Sequence, residues 1–121
     1  MAFQGAVMMQ CAVALGAFGA HALRSLLTPE MLEVWRTAVN YQMAHALGLL
    51  LIAALAPVGD AAWLRRGGTC LLAGIALFSG SLYALALTGW RPLGVLTPFG
   101  GAAFMFGWLF VILAFYPHNS R

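Results

Sequence analysis

The sequence has no lysine and only three carboxylates, so its whole charge rests on nine side chains: Arg24, Glu30, Glu33, Arg36, Asp60, Arg65, Arg66, Arg91 and Arg121. Soluble domains draw about a quarter of their residues from the charged types. Here the share is 7%, against 63% hydrophobic, and a surface made from that stock cannot be covered in water. The net charge of +3 is carried by arginines spread along the chain rather than gathered in a patch, which excludes nucleic acid as an expected partner and fits arginine at membrane edges. Cysteine is equally scarce. Cys11 and Cys70 lie in separate apolar runs, with no C-x-x-C spacing and no second ligand nearby, so neither a disulfide nor a cysteine-held metal is expected. The first apolar run has no basic residues ahead of it and is longer than the core of a signal peptide. Ala20-His21-Ala22, although it imitates a cleavage site, is therefore read as the end of a retained span. No carboxylate falls inside an apolar run, which removes a Ser-His-Asp arrangement and makes an enzyme unexpected.

What the chain has in quantity is uninterrupted hydrophobic sequence. Crossing about 30 Å of hydrocarbon takes roughly 20 helical residues, and four intervals between charges are long enough. They predict an all-α, integral membrane four-helix bundle occupying 1–121 as one domain, with spans at about 2–23, 37–56, 67–90 and 93–115. Thr28-Pro29-Glu30 reads as an N-cap, a proline at the first helical position and an acid suited to the helix dipole. The helix it starts would set Met31, Leu32 and Trp35 against Glu30 and Glu33. That is a short amphipathic interfacial helix between spans one and two, with Trp35 as its interfacial ring, lying on the membrane or running straight into span two. Pro57, Gly59 and Asp60 make a turn, with Arg65-Arg66 in the loop before span three. Small residues at Ala12, Gly16 and Ala20, at Ala76, Gly80 and Ala84, and at Gly100 and Gly101 mark faces where another helix can approach closely. An even number of spans puts both termini on one side. Arginines tie at three against three, with Arg65, Arg66 and Arg121 on that side, and the pair in a compact loop assigns it to the cytoplasm.

The polar atoms inside these spans are few. His21 ends span one; span two carries Tyr41, Gln42 and His45, spaced to share a helical face that belongs inside the bundle. Ser79, Ser81 and Tyr83 are the polar groups in the middle of span three. His21, Tyr41, Gln42, His45, Ser79 and Tyr83 are thus the candidate polar cluster, with Gln4 and Gln10 expected to bond between helices. A haem held by both histidines is disfavoured, because at roughly 1.5 Å per residue His21 lies about 3 Å deep and His45 about 12 Å. Two histidines without a third strong ligand in the spans leave a zinc shell incomplete, so no metal and no cofactor is expected. Glu30 or Glu33 reaches His21 only if the amphipathic turn folds back over the bundle.

Four ordered blocks carry a resemblance: Gly16-Ala17-Phe18-Gly19-Ala20-His21-Ala22-Leu23, Thr37-Ala38-Val39-Asn40-Tyr41-Gln42-Met43-Ala44-His45-Ala46-Leu47, Phe78-Ser79-Gly80-Ser81-Leu82-Tyr83 and Thr97-Pro98-Phe99-Gly100-Gly101. Over nearly its whole length the chain resembles the family called domain of unknown function 423, small bacterial inner-membrane proteins similar to the eukaryotic transmembrane protein 256. The resemblance implies four membrane helices and supplies no reaction. It matches at His21, Tyr41, Gln42, His45, Ser79, Tyr83, Thr97 and Pro98. The reading that the sequence favours is an accessory or assembly bundle, packed through its small-residue stripes against another membrane subunit or a second copy. The alternatives are a small proton-linked transporter or channel, and a lipid- or quinone-binding protein using His21, Tyr41, Gln42 and His45.

Overall fold

Thr28 Oγ1 accepts a hydrogen bond from the Met31 N–H at 3.2 Å, and with Pro29 at the first position it starts a helix that does not stop for 27 residues. The predicted interfacial turn and span two are therefore one helix. The computed structural model describes Met1–Pro117, so Arg121, counted above toward orientation, lies outside the described residues. Its helices are α1 (Ala2–His21), α2 (Pro29–Leu55), α3 (Ala61–Gly74), α4 (Gly80–Thr88) and α5 (Thr97–Ala114). A π-helical turn, Ile75–Ser79, joins α3 to α4 without a break, and 3₁₀ turns at Leu23–Ser25 and Arg91–Val95 precede α2 and α5. Four helical stretches of 20, 27, 28 and 24 residues are long and apolar enough to cross a membrane. The chain is an all-α membrane bundle, as its shortage of charge required.

The third span starts earlier than predicted. Asp60 Oδ1 accepts from the N–H groups of Ala62 and Trp63, both at 3.0 Å, and this cap begins α3 at Ala61. Arg65 and Arg66 consequently lie in helix rather than in a loop, with the Arg66 guanidinium 4.7 Å over the Trp63 ring. The span ends at Gly89, whose φ of 69° is a left-handed stop that suits glycine. Glu30 pairs with Arg91 at 3.7 Å and Glu33 with Arg36 at 2.8 Å, all on exposed side chains, so these acids turn to arginines and not to His21. Gln4 and Gln10 are exposed as well, and neither bonds between helices among the described residues.

α1 lies along α2, and α3 along α5; α2 against α4 and the π turn joins the two pairs. Glycines set how close they come. Along α1 the buried small residues are Gly5, Ala12 and Gly19, a seven-residue repeat rather than the expected Ala12, Gly16 and Ala20, of which Ala20 is exposed. Trp35, expected at the membrane surface, is 2% exposed because its indole fills the space over Gly19. A Cβ on Gly67 would stand 3.1 Å from the Gly107 carbonyl oxygen, which marks backbone-to-backbone contact between α3 and α5. Gly100 sits directly on the Phe78 backbone, whereas Gly101 has only ordinary contact, at 3.9 Å. The stripe at Ala76, Gly80 and Ala84 takes little part in this packing: Ala76 and Gly80 are exposed, and a Cβ on Gly80 would meet nothing within 4 Å.

Candidate functional site

The polar candidates divide into two groups, with His21 exposed at the end of α1 and in neither. The first group is a bonded seam. Gln42, 3% exposed, donates from Nε2 to the Met8 carbonyl at 2.9 Å and accepts at Oε1 from the Tyr83 hydroxyl at 2.7 Å, so one side chain fastens α2 to α1 and α4 together. Ser79, fully buried, donates to the Ala38 carbonyl at 2.7 Å. Ser81 Oγ lies 2.7 Å from Thr97 Oγ1 and ties α4 to α5. In each bond a polar side chain meets a polar atom of another helix, which is the interhelical fastening expected of polar groups inside a membrane bundle. A double-mutant cycle with Gln42→Met and Tyr83→Phe should give a coupling of about 0.6 kcal/mol, the average for hydrogen bonds between membrane helices, and at most about 1.7 kcal/mol. Unfolding in mixed SDS micelles measures it, and additive single losses would mean the two side chains do not meet.

The second group is His45 and the aromatic rings around it. Nδ1 lies 2.7 Å from the carbonyl of Tyr41, one turn back on α2. The imidazole stacks on Phe104 with centroids 3.5 Å apart and planes 10° apart, and the Trp108 ring lies 5.9 Å away, tilted by 53°. Tyr41 packs in turn against Phe78, with centroids 4.3 Å apart and planes tilted by 33°. These rings, with Pro98, Gly101 and Met105, line an open groove of about 550 Å³ between α2, the π turn and α5. The π turn matters here: a wider turn shifts the register of the following side chains, and it is a common device at functional sites. It delivers Phe78 to Tyr41 on one side and to Gly100 on the other.

Tyr41, Gln42 and His45 therefore do not act on one face as their spacing predicts. Gln42 turns to α1 and α4, and His45 turns to α5. The groove walls supplied by Phe78, Phe104 and Trp108 give no sign of their role in sequence, since they read as ordinary aromatic packing. The nearest signal is the Tyr41–His45 spacing, which places two flat rings one turn apart, and their planes lie within 11° of each other. No group of three or more metal-ligating side chains exists among the described residues.

A chain of four apolar spans, stitched by side-chain hydrogen bonds and carrying a histidine at the edge of an aromatic groove, is a small multi-span membrane protein. It belongs to the family described as Protein of unknown function (DUF423), whose model matches residues 15–101. The UPF0382 membrane protein YwdK of Bacillus subtilis is 45% identical over 111 residues, which cover 91% of this chain and 90% of that protein. UPF0382 membrane proteins of Staphylococcus haemolyticus and Staphylococcus epidermidis are also 45% identical, over 115 residues. No solved structure matches the chain.

Proposed function

We propose that this protein binds a lipid-soluble small molecule in the His45 groove, within the bacterial inner membrane and with its termini in the cytoplasm. The observation that carries the reading is a histidine only 7% exposed whose ring borders a groove of about 550 Å³ walled by aromatic and apolar side chains. A volume between about 300 and 1,000 Å³ with one polar anchor is the usual form of a small-molecule site. The orientation rests on Arg65 and Arg66 being adjacent near the start of α3 on the side of the termini, set against the separate Arg24, Arg36 and Arg91 on the other side. Native mass spectrometry of protein extracted gently from its own membranes tests the function. The wild type should carry a small molecule that His45→Ala and the groove-filling Gly101→Leu both lose. A protein subunit retained equally by all three, with no small molecule, would overturn it.

A separate observation favours assembly with another membrane subunit or a second copy. Gly80 faces outward with open space at its Cβ position, so Gly80→Leu leaves the packing of the chain itself undisturbed. The variant should keep the wild-type melting temperature in detergent. If assembly uses this face, Gly80→Leu shortens the complex seen on size exclusion from mild detergent to the single chain. An unchanged elution volume counts against that face.

A further inference from the structure

The carbonyl of Tyr41 can only accept a hydrogen bond, so the 2.7 Å contact fixes the proton of the neutral His45 ring on Nδ1. Helix geometry enforces the choice. Nδ1 is the ring nitrogen nearer the backbone, and the carbonyl one turn back is the acceptor within its reach. Nε2 is then left with a lone pair and no proton. It has no hydrogen-bond partner among the described residues, and it is not sealed in, because no buried polar side-chain atom there lacks a partner. His45 borders the aromatic groove, so its unpartnered acceptor opens onto an apolar space.

Resting on the groove reading proposed above, we infer that the groove selects an amphiphile presenting a hydroxyl on a flat ring, the hydroxyl donating to His45 Nε2. A desolvated acceptor without a donor is costly, and a ligand that brings a proton removes that cost. A ligand whose oxygen can only accept, such as a ketone or an ether, leaves Nε2 unpaired. Two other polar groups line the groove. The Tyr41 hydroxyl both donates and accepts, and the Trp108 indole N–H only donates, so neither one penalises an oxygen acceptor and neither supplies the preference. The preference for a ring follows from the walls. Phe78, Phe104 and Trp108 offer faces and edges at stacking distance, as they already do to Tyr41 and His45.

A matched pair of probes tests this on the unaltered protein. Para-decylphenol and para-decylanisole share a ring, a tail and an oxygen, and differ in whether that oxygen carries a proton. Equilibrium binding of each to the protein in nanodiscs, corrected for partition into empty nanodiscs, should favour the phenol by about tenfold, the value of one net hydrogen bond. The preference should persist in Tyr41→Phe and fall to near unity in His45→Phe, which keeps a flat ring against Phe104 and removes both nitrogens. Equal binding of the two probes by the wild type, or tighter binding of the anisole, overturns the donor requirement while leaving the groove as a binding site. A tenfold preference that survives in folded His45→Phe overturns the assignment to Nε2. Decanol binding as tightly as the phenol overturns the flat-ring requirement. If neither aromatic probe binds the wild type better than Gly101→Leu, the groove reading itself fails and takes this inference with it.

Discussion

Replacing Gly100 with alanine will destabilise the bundle by about 1–3 kcal/mol, the cost of forcing a methyl group into a packed interior. The upper end is expected, because the atoms in the way are main-chain. A Cβ at this position would stand 2.7 Å from the Phe78 Cα and closer still to its nitrogen, so relief requires α5 to move off the π turn. Two neighbours serve as controls on the same measurement, the SDS fraction at half unfolding. Gly101→Ala meets only ordinary contact and Gly80→Ala meets nothing, so each should fall within about 1 kcal/mol of wild type. If Gly100→Ala behaves like these two, α5 does not cross the π turn where the structure puts it. Because Gly100 and Gly101 are adjacent in sequence and differ only in facing, the comparison also reads out the rotation of α5.

Trp35→Ala should cost about 3–5 kcal/mol, the usual loss when a large buried aromatic is truncated. The indole makes several contacts at once. It covers Gly19, donates from Nε1 to the Leu15 carbonyl at 2.9 Å, and packs at 4.7 Å from the Tyr83 ring and 6.2 Å from the Phe18 ring. Trp35→Phe separates these contributions, since it keeps much of the ring burial and removes the donor, and should lose well under half as much. A loss below about 1 kcal/mol for Trp35→Ala would match an exposed residue, as surface substitutions typically show. That result would return Trp35 to the membrane surface, where its sequence context first places it.

Trp35 and Gly100 illustrate what could be read without coordinates. The number of spans and the all-helical class follow from where nine charges fall along the chain, a signal set by the bilayer and indifferent to packing. The cap at Thr28 is legible too, with proline and an acid directly after it, whereas Asp60 follows Pro57 and Gly59 and reads as part of a turn although it caps α3. Rotational setting is not legible in the same way. An apolar helix surrounded by lipid has no hydrophobic face to aim, so the hydrophobic pattern that orients a soluble helix is missing. Small residues occur on several faces, and the buried set of Gly5, Ala12 and Gly19 is decided by α2, where Trp35 covers Gly19 and Ala46, Leu49 and Leu50 meet Gly5. Gln42 and His45 are three positions apart and their spacing predicts a shared face, yet the angle between them is enough for one to meet Tyr83 and the other Phe104. The π turn is invisible in composition, and with it the meeting of Phe78 and Tyr41.

The pairing of the helices has a consequence for how the groove comes into being. α1 and α2 are consecutive and lie together, and so are the third and fourth spans, so each half is a hairpin that closes across a short turn with little loss of chain entropy. His45 belongs to the first hairpin, and Phe78, Phe104 and Trp108 to the second. Neither hairpin has a groove by itself; the cleft exists only once the two have docked. A ligand bound as proposed would bind the docked state alone and stabilise it by mass action, by about 2.7 kcal/mol at a hundredfold excess over its Kd. If the proposed ligand binds there, it acts as a clasp between two halves that already share the core of Leu49, Ile52, Leu71 and Phe104, adding to their docking rather than creating it.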